Sequence, residues 1–138
     1  MKNPVFELKA AIHTRLETTT PVKYPVYSEA GRDSKIPYIQ IGQPRWNPWN
    51  TKGSNNFIVT IQFDFWDRNK TSETVDNMQQ KFEDSLTFTD SVTPSMLTLT
   101  NFNVIRQDCI LGFILDERDT TGFIKHGVLE VEFWLQKK

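Results

Sequence analysis

The residues able to do chemistry are few and poorly grouped. Cys109 is the only cysteine, and His13 and His126 are the only histidines, in the 138 residues. A thiol nucleophile needs a base within hydrogen-bond reach, and Cys109 lies in Asp108-Cys109-Ile110-Leu111, where a small buried side chain is the plainer expectation. His13 and Glu17 stand four apart on a helical segment, where they could share a cation or simply line a solvated face. Asp64 with Asp67, and Asp116, Glu117 and Asp119, offer carboxylates for hydrolysis or cation binding, yet acids in and beside turns cap and solvate the chain without catalysis. His126 falls on the polar face of the last strand, with no sequence neighbour that would make it a general base. A single cysteine excludes an intrachain disulfide, and the short paired spacings of zinc ligands are absent. The six glycines are scattered, so neither a phosphate-cradling loop nor a dinucleotide fingerprint can be written. The expectation is a chain that is not an enzyme, with no catalytic, cofactor-binding or metal-binding residues and no cofactor.

One segment stands above this background. Gly42-Gln43-Pro44-Arg45-Trp46-Asn47-Pro48-Trp49-Asn50-Thr51-Lys52-Gly53 reads as a long loop with two tryptophans and two cations and no acid. Tryptophan and arginine are the types most enriched at interface hot spots, which makes Arg45, Trp46, Trp49 and Lys52 candidates for an interaction loop. The alternative is a flap in which both indoles fold back on the sheet edge beside Trp66 or Trp134. Charge is also segregated. Residues 31–52 carry a net +3, and residues 71–90 a net −4. Glu73, Asp76, Glu83 and Asp84 would put an acidic helix opposite a basic loop, either as solvated faces of a monomer or as head-to-tail contacts that close a ring.

The elements that must position these residues follow from periodicity. Residues 3–18 form a helix with Asn3 as cap and Val5, Leu8, Ile12 and Leu16 as one apolar stripe. Five of the seven prolines fall between residues 21 and 53, which leaves room for short or edge strands at Val26-Tyr27 and at Tyr38 to Ile41. Asn56 to Trp66 is a strand with Phe57, Val59, Ile61, Phe63 and Phe65 on one face. A second helix over 72–86 buries Val75, Met78, Phe82 and Leu86. Strands follow around Leu97 and Leu99, from Phe102 to Leu115 with a bulge near Gly112, and from Phe123 to Gln136, the last two joined by a polar loop from Asp116 to Gly122. The fold class is α+β: a mainly antiparallel sheet with two amphipathic helices packed on one face, in a single domain spanning residues 1–138.

Composition bounds the rest. A chain of this length buries roughly two-thirds of its unfolded surface, so it holds a core without metals or disulfides. The N-terminus lacks the apolar stretch of a secretory leader, and nowhere are eighteen apolar residues consecutive. The chain is therefore expected to be soluble, made in a cytoplasm and without a membrane partner. A net charge of −1 argues against a specific nucleic-acid partner.

In order and spacing, the chain resembles the tail-completion proteins of long-tailed bacteriophages and prophages, also called tail terminators or head-to-tail joining proteins. The resemblance runs through the helix around Leu8, Ile12 and Leu16, then Val26-Tyr27, Pro37-Tyr38-Ile39-Gln40-Ile41-Gly42, Trp49-Asn50-Thr51-Lys52 and Phe63-Asp64-Phe65-Trp66. Its most specific part is Gly122 leading into His126-Gly127-Val128-Leu129, with Phe133 beyond. Arg45 to Pro48 and the connection from Phe88 to Ser95 depart from the pattern. What the resemblance implies is a structural virion protein, assembled in the host bacterial cytoplasm. It would form an oligomeric ring, a hexamer, at the head-tail interface, where it caps the tail tube and meets the tail tube protein and the head connector protein. The competing classes are a cellular α+β interaction module and a small-molecule-binding domain or enzyme using Cys109, His126 or the Asp116-to-Asp119 segment.

Overall fold

The structure, a computed structural model, describes residues 4–16, 25–28, 37–49, 55–68, 73–86, 97, 99–119 and 122–138. Its elements in chain order are α1 (Val5–Thr14), β1 (Val26–Tyr27), β2 (Tyr38–Ile41), β3 (Arg45–Pro48), β4 (Asn56–Asp67), α2 (Glu73–Leu86), β5 (Phe102–Asp119) and β6 (Gly122–Lys137). The six strands form one sheet ordered β1-β2-β4-β6-β5, with β3 also paired to β4. Only β1 and β2 run parallel; every other pairing is antiparallel.

Strand alternation divides the sheet into a helix side and an open side. In β4, Phe57, Val59, Ile61, Phe63 and Phe65 point to the helix side, where they meet Leu129, Val131, Phe133 and Leu135 of β6. Leu8, Ile12 and Leu16 from the first helix and Val75, Met78 and Phe82 from α2 complete that core, and each of these six is fully buried. Burying an aliphatic or aromatic side chain of this size contributes about 1.5–3 kcal/mol, so this two-layer contact is the main source of stability. Both helices cover the same face, as their apolar stripes require.

Two glycines permit close approaches. Gly127 breaks the apolar parity of β6 because α2 lies directly on it: a Cβ there would sit 2.5 Å from Val75 Cγ1 and 2.9 Å from Gln79 Nε2. Gly42 donates its N–H to the Gln62 carbonyl at 2.8 Å, and a Cβ would come within 2.6 Å of that same oxygen. It opens a bulge in which residues 42–44 face only residues 61 and 62 of β4, after which the chain returns to pairing as β3.

Several expectations are corrected. The segment read as a loop from Gly42 to Gly53 is β-structure over Arg45–Pro48, paired with Phe57 to Thr60. α1 is shorter than 3–18, with Pro4 at the cap position and its carbonyl accepting the first helical bond from Leu8 at 2.9 Å; Asn3 lies outside the described residues. The expected loop from Asp116 to Gly122 is mostly strand, because β5 runs to Asp119 and β6 starts at Gly122. The bulge expected near Gly112 is present as the register shift between Cys109 and Leu111, and a second shift falls between Val104 and Arg106. Leu97 and Leu99, expected in a strand, are buried but lie outside any strand.

Candidate interaction surfaces

The proposed interaction residues do not share one environment. Trp46 is exposed, at 46% of its full surface, on the outer strand β3. Trp49 follows β3, its backbone N–H donating to the Asn56 carbonyl at 2.9 Å, and its ring turns to the open side, where it meets Trp134 edge-on at 5.2 Å. Arg45 reaches across the open side to Glu130 at 3.0 Å. Lys52 lies outside the described residues. Trp49 therefore answers to the flap reading and Trp46 to the exposed one. Trp46→Ala is expected to leave the urea-denaturation midpoint within the error of about 0.5 kcal/mol, whereas Trp49→Ala costs about 1–3 kcal/mol through the lost indole pair. Equal losses in the two variants would contradict this division.

On α2, Glu73 and Asp76 stand exposed in the first turn, Glu83 is half-buried, and Asp84 belongs to the helix by its backbone. Val75 and Gln79 of α2 lie against Gly127 of β6 and Phe82 lies against Phe63 and Phe65 of β4, so the acidic helix packs over β4 and β6. Of the cations in residues 31–52, Arg45 lies among the described residues, where it pairs with Glu130 of the same chain.

The candidates for catalysis are also placed. Cys109 is exposed rather than buried, on edge strand β5. Its thiol lies 3.7 Å from the Leu111 carbonyl, and desolvation together with the Glu83 charge pushes its pKa up, which keeps it a thiol and a poor nucleophile. His13 lies 3.2 Å by Nε2 from the Val26 carbonyl, tying α1 to β1, while Glu17 lies outside the described residues. A shallow groove beside it is lined by Phe6, Lys9, His13 and Ser28. Among the described residues no group of three or more His, Cys, Asp or Glu side chains is arranged to hold a metal ion, and no helix is long and apolar enough to cross a membrane.

The polar centre that sequence reasoning missed is built around His126. Its Nε2 is 2.6 Å from Asp64 Oδ1 on β4 and its Nδ1 is 3.1 Å from Glu117 Oε1 on β5, while the ring stacks on Trp66 at 3.7 Å and 11°. Gln62 Nε2 donates to the same Asp64 oxygen at 3.0 Å, and Tyr38 lies beyond Trp66. Asp64 is 9% exposed, so turn solvation does not account for it. Burial opposes the charged imidazole, but the two carboxylates outweigh it and raise the His126 pKa. Asp116 pairs with Lys125 across the hairpin rather than capping a turn. The signal for this cluster was a lone acid in an apolar strand, since a buried carboxylate needs a partner. The arrangement does cross-strand bonding: both ring nitrogens are engaged, and no nucleophile lies among these partners.

The fold, a sheet covered on one face by two helices, has a counterpart among solved structures. A chain described as the virion of a native gene transfer agent (GTA) particle matches it with a TM-score of 0.76 over 99% of both chains, at 13% identity. No family model matches the chain. In sequence it is 27% identical over 108 residues to the tail completion protein gp17 of Bacillus phage SPP1, covering 78% of this chain and 74% of that protein. The chain is thus a relative in sequence of a phage tail completion protein, as the resemblance in sequence implied.

Proposed function

We propose that this chain is itself a tail-completion protein, which assembles as a ring on the end of the tail tube, stops tube growth and presents a surface to the head connector. The observation that carries the reading is the 27% identity to a tail completion protein through 78% of the chain. The opposed net charges of residues 31–52 and 71–90 support assembly between copies, since a basic and an acidic segment can meet head to tail between neighbours. In this reading Trp46, with Arg45 beside it, contacts a neighbouring subunit, the tail tube or the connector. Glu73 and Asp76 supply acidic complementarity on the other side.

Deletion of the gene is the test. Cells producing the particle without this chain are expected to accumulate separate filled heads and tails by electron microscopy, with infectious titre reduced by orders of magnitude and restored by the chain in trans. Normal joined particles from the deletion would sink the reading.

A further inference from the structure

The outer edge of β5 is the part of the surface that the fold leaves least explained. Cys109-Ile110-Leu111-Gly112-Phe113-Ile114-Leu115 is seven residues without a charge or a proline. Ile110, Leu111, Phe113, Ile114 and Leu115 are 36–47% exposed. The register puts Leu111, Phe113 and Leu115 on the open side and Ile114 on the helix side, so the strand is bare on both faces. It ends the sheet, with β6 as its neighbour on the inner side. Exposed edges of this kind template strand addition, and proteins usually blunt them with charge, proline or a covering element. Here the charges stand at the two ends, Arg106 and Asp108 before the segment and Asp116 to Asp119 after it.

A second edge lies off the main strand order, where β3 pairs with residues 57–60 of β4. β3 is exposed at all four residues and presents Trp46. Residues 31–52, which include it, carry a net +3, against a net −2 for residues 102–119 of β5. β4 and β6 lie between β3 and β5, three strand spacings of about 4.8 Å each, so the two edges cannot touch within one chain.

We propose that the uncharged centre of β5 adds as a strand to the β3 edge of a second copy of this chain, carrying the sheet from one subunit into the next. The proposal rests on the ring reading above and names its contact surface. Its occupant is a second copy because this chain itself supplies a second exposed edge, with the indole of Trp46 on the helix side, the face on which β5 exposes Ile114, and with a segment charge opposite to that of β5. The contact is heterologous, so repetition closes a ring and leaves no bare edge. Pro48, which has no N–H, limits the new ladder at one end of β3.

The native Cys109 allows a direct test in assembled particles. Trp46→Cys and Asn47→Cys chains that retain Cys109 are oxidised in the particle with copper-phenanthroline. The expected result is a covalent ladder of this chain, lost when Cys109→Ser is added. A disulfide between position 109 and position 46 or 47 of the same chain is excluded, since bridged Cα atoms lie within about 7 Å. In parallel, Phe113→Asp and Leu115→Asp chains, altered at exposed positions, are expected to keep the denaturation midpoint of the isolated protein and to lose the ring. If lysine cross-linking still yields a complete ring of Phe113→Asp chains, and neither cysteine position gives a ladder, the β5 contact is overturned while the ring stands. If joined particles yield no oligomer of this chain with any reagent, the ring reading itself falls.

Discussion

Phe82→Ala is expected to destabilise the chain by about 3–5 kcal/mol, the usual cost of emptying a fully buried aromatic site. Phe82 is 0% exposed and reaches from α2 into β4, with its ring 4.4 Å from Phe63 and 5.6 Å from Phe65. Those two phenylalanines cannot fill the space, since their backbones are held by pairing to β2 on one side and β6 on the other. Typical domain stability is about 5–15 kcal/mol, so this one truncation removes a large share of it. Urea denaturation of the purified chain reads the effect as a lower midpoint, and particle yield should turn temperature-sensitive. The volume-conserving Met78→Leu, one turn away on the same stripe, is expected to cost less than about 1.5 kcal/mol. A loss below 1 kcal/mol for Phe82→Ala would mean that α2 does not pack on β4 as described.

That contact was legible in the sequence because alternation in β4 and the spacing of Val75, Met78 and Phe82 each specify a face without help from tertiary structure. The same holds for Val26-Tyr27 and Tyr38 to Ile41. β3 was not legible: Arg45-Trp46-Asn47-Pro48 has no apolar alternation and a proline at its end, and its strand conformation comes from the ladder with β4. β5 and β6 reach further than expected for a related reason. Polar residues from Asp116 to Asp119 look like a turn, but the Lys125–Asp116 pair and the Glu117–His126 bond keep them in the sheet. Cys109 was misplaced because an apolar run suggests burial. Position on an edge strand, which decides exposure, is a property of the topology and not of the run. The same apolar run is what makes β5 a contact surface, so the misreading and the proposed interface have one origin. Of the candidate site, the contrast of basic and acidic segments was visible in the composition, whereas the division between Trp46 and Trp49 depended on where Trp134 falls in the register.

His126→Gln is expected to lower stability by about 2–3 kcal/mol at pH 6, because it removes charge-assisted bonds and leaves Asp64 largely buried with only Gln62 as a donor. The effect has a definite pH dependence. The folded-state pKa of His126 is raised by Asp64 and Glu117 against the opposing cost of burial, so the folded chain holds the proton more tightly than the unfolded one. Stability from this cluster is complete below the ordinary histidine pKa of 6.5 and is lost as pH rises from there through the folded value. The groups facing the ring are Asp64 from β4 and Glu117 from β5, with Trp66 stacked on it and Tyr38 beyond; Lys125 and Asp116 pair on the opposite face. Urea midpoints measured from pH 6 to pH 9 should therefore fall in the parent chain and stay nearly level in His126→Gln, with the two curves converging at the alkaline end. Asp64→Asn should flatten the parent slope in the same way, since it removes the nearer carboxylate. Parallel slopes in parent and variant would show that His126 titrates alike in both states and that its two bonds do not favour the charged ring. Because Glu117 is the partner that β5 contributes, loss of the cluster also removes a side-chain tie between the far end of that strand and β6. The His126→Gln chain is accordingly expected to show faster amide hydrogen exchange at residues 113–118 than at residues 102–107, a difference that a uniform loss of stability would not produce.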